Sequence, residues 1–168
     1  LLSLSKLELG AEQTFFEEID LYEMCHDAVQ KTAVLCESKG LRVDCENTHV
    51  TVRTDSGLLD QLLMNYLSNA IRYTTEGGKI VISASRDETN ARLTVFNEGE
   101  GLPEEELPKI WEKFYRTDRA RTREAGGTGI GLSLVRAIAD TLHGDCGAEN
   151  VPGGIAFWFT LPNELSQN

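Results

Sequence analysis

The chain has 168 residues and a formal net charge of −11, with 16 Lys and Arg against 27 Asp and Glu. This length fits one domain, and the 40% of apolar residues can form a buried core. A net charge this negative argues against a nucleic-acid-binding surface, because phosphate backbones are held by clustered Lys and Arg. No stretch approaches the roughly 20 uninterrupted apolar residues of a membrane helix. Because the net charge is negative, any phosphate that the protein binds must be held by a small local group of residues.

The chain contains four cysteines: Cys25, Cys36, Cys45 and Cys146. They form no C-x-x-C pair and no regular disulfide spacing, and no signal-peptide pattern precedes them. We therefore expect reduced and mostly buried thiols in a cytosolic setting. The chain begins at Leu1 rather than Met, with apolar residues at helical spacing over residues 1–9, and we interpret it as a piece of a longer protein.

Glycine, proline and small polar residues divide the chain into short elements with helical or alternating periodicity. In chain order, the predicted elements are a helix from Asp20 to about Glu37, strands at 41–45 and 49–53, a helix from Asp55 or Ser56 to about Tyr73, a turn at 74–78, strands at 79–85 and 91–97, a short helix at about 107–114, a helix at about 130–142 and two strands within 145–161. Asp20 is predicted to cap the first helix, and Gly40 to stop it.

The two closing strands are joined by a hairpin-length turn at 152–154, so the sheet must be mixed rather than purely parallel. We therefore predict an α/β fold, a two-layer sandwich in which about three helices cover one face of a mixed β-sheet. The long irregular stretch at 98–129 is uncommon in a compact domain, and such loops are more often functional than accidental.

Three polar side chains line up along one flank of the second helix. Asn65, Asn69 and Arg72 stand at i, i+4 and i+7. Asparagine is a poor interior helix residue because its amide competes for the backbone. The row is either a solvated flank or a site where two amide oxygens hold a hard cation such as Mg²⁺ and the arginine reaches its phosphates.

A polar side chain ends the strand at 91–97. Asn97 lies on the same face as Leu93 and Val95, so its amide points inward and must find a partner. Either a backbone group or the edge of a base, with both a donor and an acceptor, would serve.

A glycine run leads into the last predicted helix, reading Gly126-Gly127-Thr128-Gly129-Ile130-Gly131-Leu132. Leu132 stands where a P-loop requires Lys and where the dinucleotide fingerprint requires its third Gly. What remains is close backbone approach and a helix N-terminus with unpaired N–H groups, which can hold phosphate. A mobile surface loop explains the run about equally well.

Together, and in this chain order, these three features resemble the nucleotide-binding domain of sensor histidine kinases, a family in the same superfamily as gyrase, the MutL mismatch-repair ATPases and the heat-shock chaperone ATPase. The resemblance covers essentially the whole chain. Its parts are residues 65–73 as the N box, 97–101 as the first glycine box, 111–114 as the F box, 127–131 as the second glycine box, 154–162 as the closing strand and 1–8 as the end of a preceding helical hairpin.

The resemblance implies a Bergerat-type fold with a long ATP lid at 117–126, and two parts in the chain. Residues 1–9 would be the end of the preceding dimerisation and phosphoacceptor helix, and residues 10–168 the catalytic ATP-binding domain. The implied cofactors are ATP and Mg²⁺, with Asn69 and Asn65 holding the metal.

The resemblance also implies individual roles. Tyr73 would flank the adenine and Asn97 would read its amino group, whereas Arg72 would lie close to the phosphates. Arg116, which would reach the γ-phosphate, and Asn65 are the implied catalytic residues. The implied ATP-binding residues are Asn65, Asn69, Arg72, Tyr73, Asn97, Gly99, Gly101, Leu102, Phe114, Arg116, Gly127, Thr128, Gly129, Ile130, Gly131 and Leu132.

Three positions bear on what this chain does. Asn97 stands where the family has Asp, and Ile155 where it often has Thr. Hydrolytic members of the superfamily have a Glu where this chain has Asn65, and an amide cannot act as a base near neutral pH. We therefore expect a histidine autokinase of a two-component system, which presents the γ-phosphate of Mg-ATP to a histidine. A nucleotide-binding regulatory module without transfer and a small ATP hydrolase are the alternatives.

The expected partners are the protein's own dimerisation and phosphoacceptor helical domain, in a full-length homodimer, and a response regulator. No nucleic acid is expected. The isolated chain is expected to be a monomer, and to be the cytoplasmic domain of a protein anchored in the cell membrane.

Overall fold

The computed structural model describes residues 13–113, 115 and 131–163. In chain order its elements are β1 (Phe16–Asp20), α1 (Leu21–Lys31), α2 (Ala33–Ser38), β2 (Arg42–Cys45), β3 (Thr51–Asp55), α3 (Ser56–Tyr73), β4 (Lys79–Arg86), β5 (Asn90–Glu98), a 3₁₀ turn (Glu104–Glu106), α4 (Gly131–Thr141), β6 (Asp145–Val151) and β7 (Gly154–Pro162). Within these residues, every helix is too short or too polar to span a bilayer.

The main sheet has five strands in the order β2-β4-β5-β7-β6. β2 pairs with β4 in parallel, and the other three pairings are antiparallel. The predicted mixed sheet is therefore confirmed. β6 and β7 form the predicted closing hairpin, in which Gly153 has a φ of 86° that glycine adopts without strain.

The helices lie on one side of this sheet. α3 contacts α1, α4 and β5, while α1 also contacts β2 and β4, and α4 contacts β6. Along β5, buried Leu93 and Val95 alternate with half-buried Thr94 and Phe96, so one face of the sheet is covered and the other is partly open. This is the predicted two-layer α/β sandwich.

A second, two-stranded sheet pairs β1 with β3 in antiparallel register, from Phe16 opposite Asp55 to Asp20 opposite Thr51. β1 is not predictable from the local sequence pattern. Its segment reads Phe-Glu-Glu-Ile-Asp, and only Ile19 within it is buried, so the alternation that marks a half-buried strand is too weak to recognise.

The single helix predicted from Asp20 to about Glu37 is wrong, because the structure breaks it into α1 and α2 at Thr32. The Thr32 hydroxyl donates to the carbonyl oxygens of Ala28 and Val29, at 3.1 Å each, and competes with the helical backbone. The predicted ends are confirmed: Asp20 accepts from the backbone N–H of Tyr22 at 2.9 Å, and Gly40 has a φ of 66°.

The short helix predicted at about 107–114 is also wrong over its described part. The 3₁₀ turn at Glu104–Glu106 is followed by successive turns, such as the bond from Glu112 N–H to the Lys109 carbonyl at 3.0 Å. Lys109 N–H likewise donates to the Glu106 carbonyl at 2.9 Å, so bonds between residues three apart, of the 3₁₀ type, replace a continuous α-helical ladder here.

All four cysteines lie within the described residues and are free thiols. Cys25, Cys36 and Cys146 are buried and Cys45 is partly buried, as expected. Burial raises the pKa of Cys146 to about 11, which keeps it a thiol at neutral pH.

Candidate functional site

The polar row predicted on the second helix stands on α3, an 18-residue helix fixed at its N-terminus by a carboxylate. Asp55 accepts from the backbone N–H of Leu58 at 3.0 Å and from that of Phe15 at 2.9 Å. The buried residues of α3 are Leu58, Leu59, Leu62, Leu63, Tyr66, Leu67, Ala70 and Ile71. Because this apolar stripe packs against the sheet and helices, the rotation of α3 about its axis is fixed.

That rotation leaves Asn65, Asn69 and Arg72 half-buried on the flank of the helix. The Asn65 Nδ2 atom is buried, and it has no hydrogen-bond partner among the described residues. A methyl group built on Gly131, the first residue of α4, would lie 4.0 Å from Asn65 Oδ1. The structure therefore brings the start of the polar row to the start of α4, where the glycine run ends.

The last turn of α3 carries Arg72 and Tyr73, and the Arg72 guanidinium carbon lies 5.8 Å from the centre of the Tyr73 ring. This end of the helix is held by a residue that the sequence analysis missed. The Lys39 ammonium donates to the carbonyl oxygen of Ile71, to that of Arg72 at 3.3 Å and to that of Thr74 at 3.4 Å. A cation at this position also interacts favourably with the helix dipole.

Asn97, at the end of β5, is 4% exposed and points into the interior as predicted. Its neighbours in register are Ile80 on β4 and Ile155 on β7, both apolar and buried. Among the described residues we find no hydrogen bond to its side-chain amide. An amide that is flanked by apolar side chains and makes no bond to the described residues is a group that a polar ligand would satisfy.

The segment after Asn97, residues 99–102, is called the glycine segment below. Gly99 N–H donates to the carbonyl of Gly153 in the β6–β7 turn at 3.1 Å, and Gly101 has a φ of 78°. Leu102 is half-buried and packs against the core. The side chain of Asn150, on β6, is hydrogen-bonded to both backbone polar groups of Leu102.

Aromatic rings attach the next stretch of chain to α3 and the sheet. Trp111 packs edge-on against Tyr66 and Phe157, with ring centres 6.5 and 6.3 Å apart, and the Arg136 guanidinium lies 5.3 Å from its ring centre. The Tyr66 hydroxyl donates to the Trp158 carbonyl at 2.7 Å, and burial raises the Tyr66 pKa well above its ordinary value. The predicted F box therefore begins at a residue, Trp111, whose ring packs against aromatic side chains of α3 and β7.

Several predicted site residues lie outside the described residues: Phe114, Arg116, Gly127, Thr128, Gly129 and Ile130. The lid predicted at 117–126 and the helical end predicted at 1–9 lie outside them as well. Gly131 and Leu132, which the structure does describe, form the first turn of α4.

The described residues also contain a group of metal-ligand type away from the asparagine row. Asp20, Glu23 and His49 have ligand atoms within 4.8 Å of one another at the start of α1. Asp20 already caps α1 and accepts a 2.6 Å hydrogen bond from His49, which accounts for its position.

Comparison with known proteins identifies related sequences. The family described as "Histidine kinase-, DNA gyrase B-, and HSP90-like ATPase" matches residues 54–165. The sensor histidine kinase WalK of Bacillus subtilis is 37% identical over 119 residues, which are 69% of this chain and 20% of that protein. The sensor histidine kinase YkoH of the same organism is 35% identical over 153 residues, 91% of this chain and 33% of that protein. The chain thus spans a third or less of these relatives.

Solved structures with the same fold include the catalytic domain of the histidine kinase ThkA in a nucleotide-free form. It has a TM-score of 0.81 and 29% identity, covering 92% of this chain and 100% of that one. The complex of ThkA with the response regulator protein TrrA has a TM-score of 0.80 and 26% identity, covering 98% of this chain and 47% of that one.

Proposed function

Because this chain belongs to the histidine kinase-, DNA gyrase B- and HSP90-like ATPase family, as a catalytic ATP-binding domain of the sensor histidine kinase type, we propose that it binds Mg-ATP and presents the γ-phosphate to a histidine on an adjacent helical domain. We place the site between the polar row of α3, the glycine segment and the start of α4.

One observation carries the location of the site. The Asn65 amide nitrogen is buried without a partner among the described residues, beside the first residue of α4. A buried polar atom without a hydrogen bond is costly, and helix N-termini favour anions. A phosphate held between α3 and α4 would satisfy both groups.

The residues present also fit Mg²⁺. Asn65 and Asn69 stand one turn apart on the same half-buried flank, and amide oxygens are suitable ligands for this hard cation. We propose that these two residues hold the ion, which when bound would neutralise charge on the phosphates. Arg72, one turn further along α3, would add a positive charge near the same groups.

Adenine would be bound at the other end of the site. We propose that Asn97 reads its amino group through the amide oxygen, and that Tyr73 and Leu102 line the base. The second glycine box and Arg116 would complete the phosphate end of the site.

The chemistry of α3 favours transfer over hydrolysis. Its polar row contains amides and an arginine, none of which takes a proton from water at neutral pH. The carboxylate within α3, Asp60, is 3.6 Å from the Lys31 ammonium and belongs to a different face of the helix. Phosphoryl transfer depends mainly on positioning and charge neutralisation, so a polar row without a base on α3 is suited to an external acceptor.

We further propose the setting of the domain in a longer protein. Residues 1–9 would end a dimerisation and phosphoacceptor hairpin, in a homodimer, that receives the phosphoryl group and passes it to a response regulator. A response regulator is named as the partner of ThkA in one related structure. The full-length protein would be anchored in the cell membrane with this domain on the cytoplasmic side.

The binding step is tested by calorimetry with ADP, with and without Mg²⁺, on wild type, Asn69→Ala and the control Ser68→Ala, which changes an exposed residue of the same helix. Wild type and Ser68→Ala should bind more tightly with Mg²⁺, and Asn69→Ala should lose this dependence. Equal weak heats for all three proteins, with and without the metal, would contradict the metal site.

The transfer step is tested by adding the proposed helical hairpin, in cis or as a separate dimeric piece, with labelled ATP. Acid-labile phosphate should appear on the hairpin and not on His26, His49 or His143 of this chain. Label on one of those three histidines, or rapid release of inorganic phosphate without the hairpin, would contradict the proposed transfer.

A further inference from the structure

A side chain on the edge strand β6 points toward the proposed site. Asn150 lies opposite Ile155 of β7, on the same face of β6 as buried Cys146 and half-buried Ala148. That face is covered by the helices, so Asn150 stands on the inner side of the sheet, beside the proposed nucleotide site. Asn150 lies outside the sequence boxes by which the chain resembles the family.

The Asn150 amide is bonded to one residue of the glycine segment at two points. Its Oδ1 accepts from Leu102 N–H at 3.0 Å, and its Nδ2 donates to the Leu102 carbonyl at 2.7 Å. The same Nδ2 donates to Glu104 Oε1 at 3.0 Å. Leu102 lies beyond the end of β5, and among the described residues no strand pairs with it. The Asn150 side chain satisfies both of its backbone polar groups, as a neighbouring strand would in a sheet.

The close approach of Asn150 also explains the glycine before Leu102. A methyl group built on Gly101 would lie 2.3 Å from Asn150 Oδ1 and 3.1 Å from its Cγ, and Gly101 has a φ of 78°. Both the space and the backbone angle therefore require glycine. Together with the Gly99 bond to the Gly153 carbonyl, the glycine segment is held at both ends by the β6–β7 hairpin.

A segment with two glycines has large conformational freedom, and ordering it costs free energy whenever a ligand binds to it. A segment that is already held in place removes this cost from binding. The segment begins two residues after the buried Asn97 and ends at Leu102, both of which are proposed to contact the base.

We infer that Asn150 is a positioning residue of the nucleotide site: its amide holds Leu102 and the glycine segment in the binding conformation, and so increases nucleotide affinity without touching the nucleotide. This inference rests on the proposed function. A carboxylate at this position would lose both donated bonds and would face the Leu102 carbonyl and the Glu104 carboxylate.

The test is the affinity for Mg-ADP of wild type, Asn150→Asp and the control Asn90→Asp, measured by calorimetry. Asn90 lies at the opposite end of β5, beside Pro162, and the control makes the same change of charge. Asn150→Asp should raise Kd about tenfold, which corresponds to the loss of one or two hydrogen bonds. Asn90→Asp should leave Kd unchanged.

Two readouts separate positioning from a general loss of stability. The ratio of the Kd of Asn150→Asp to that of wild type should fall as the pH is lowered, because the protonated carboxyl regains a donor for the Leu102 carbonyl. Hydrogen exchange at the Leu102 amide without nucleotide should be slow in wild type and fast in Asn150→Ala, which removes the oxygen that accepts from Leu102 N–H, while exchange in α3 is unchanged.

If Asn150→Asp does not fold, Asn150→Ser gives the same comparison, because its short hydroxyl cannot reach both groups of Leu102. Unchanged Kd and slow Leu102 exchange in a folded Asn150 variant would overturn the inference while nucleotide binding by wild type stands. Absence of nucleotide binding by wild type would overturn the inference together with the proposed function.

Discussion

Helix α3 and the glycine segment form two walls of the proposed site, but they are held in place by different forces. α3 buries eight residues, and Leu59, Leu62, Leu63 and Leu67 are fully buried. The glycine segment is held chiefly by hydrogen bonds to Asn150 and Gly153. One wall is therefore part of the core and the other is an attached loop.

Because of this difference, substitutions in α3 and substitutions in the glycine segment should affect different properties of the domain. A change in the apolar stripe of α3 should alter the free energy of unfolding of the whole domain, since apolar burial is the main favourable contribution to folding. A change at the glycine segment should alter ligand binding first, because few of its atoms contribute to the core.

The largest effect is expected from Leu63→Ala, which creates a cavity at a residue with 0% exposure. Its free energy of unfolding in urea should fall by about 2 to 5 kcal/mol. Leu35→Ala is the control, because Leu35 is 59% exposed and its loss should change the free energy by less than about 0.5 kcal/mol. Equal effects of the two changes would contradict the view of α3 as the centre of the core.

The second prediction concerns Asn97, next to the glycine segment. Asn97→Ala should weaken Mg-ADP binding by about 1 to 3 kcal/mol, because a buried partner for the base is lost. Asn97→Asp should preserve or tighten binding, since it keeps an acceptor oxygen at the same position. Calorimetry on both variants checks this, and binding equal to wild type in both would show that Asn97 does not read the base.

The third prediction concerns the C-terminal end of α3. Lys39→Met should destabilise the domain by about 1 kcal/mol, since the carbonyl oxygens of the last turn lose a charged donor. Lys31→Met is the matched control: its exposed ion pair with Asp60, at 3.6 Å, should contribute less than about 1 kcal/mol. Urea unfolding of both variants gives the comparison, and a larger loss for Lys31→Met would contradict the capping role.

Much of the fold follows from local signals in the sequence. Asp20 and Asp55 cap helices where expected, Gly40 ends one, and the hairpin at 152–154 forces the mixed sheet. These features depend on residues within a few positions of each other, and their physical causes can be recognised in the sequence.

What the sequence analysis missed depends on contacts between distant positions. Asn150 is 48 residues from Leu102, and Lys39 is 32 residues from Ile71. Neither residue has a local pattern that indicates its partner, because the partner is a backbone group that could belong to any residue. For Asn150, the available signal was its place on the inner face of a predicted strand, where a polar side chain needs a hydrogen-bond partner.

The smallest effect is expected at Asp20, which caps α1 outside both walls of the site. Its hydrogen bond with His49 lowers the pKa of the Asp20 carboxyl below the ordinary value of 3.8, helped by the Tyr22 backbone N–H. A carboxyl with a lowered folded-state pKa binds protons less readily than in the unfolded chain. Its contribution to stability is therefore present above the ordinary pKa and is lost as the pH falls through the folded value.

Asp20→Asn keeps a capping oxygen but removes this titration. The difference in urea midpoint between wild type and Asp20→Asn should shrink as the pH falls below the ordinary pKa of the Asp20 carboxyl. The difference should stay small, because the Asp20–His49 pair lies at the surface and solvent screens it. Nucleotide affinity at neutral pH should not change, because α1 begins away from both walls of the site. A difference in midpoint that grows at acid pH would contradict the assigned hydrogen bond. A loss of nucleotide affinity in Asp20→Asn would show that Asp20 influences the nucleotide site.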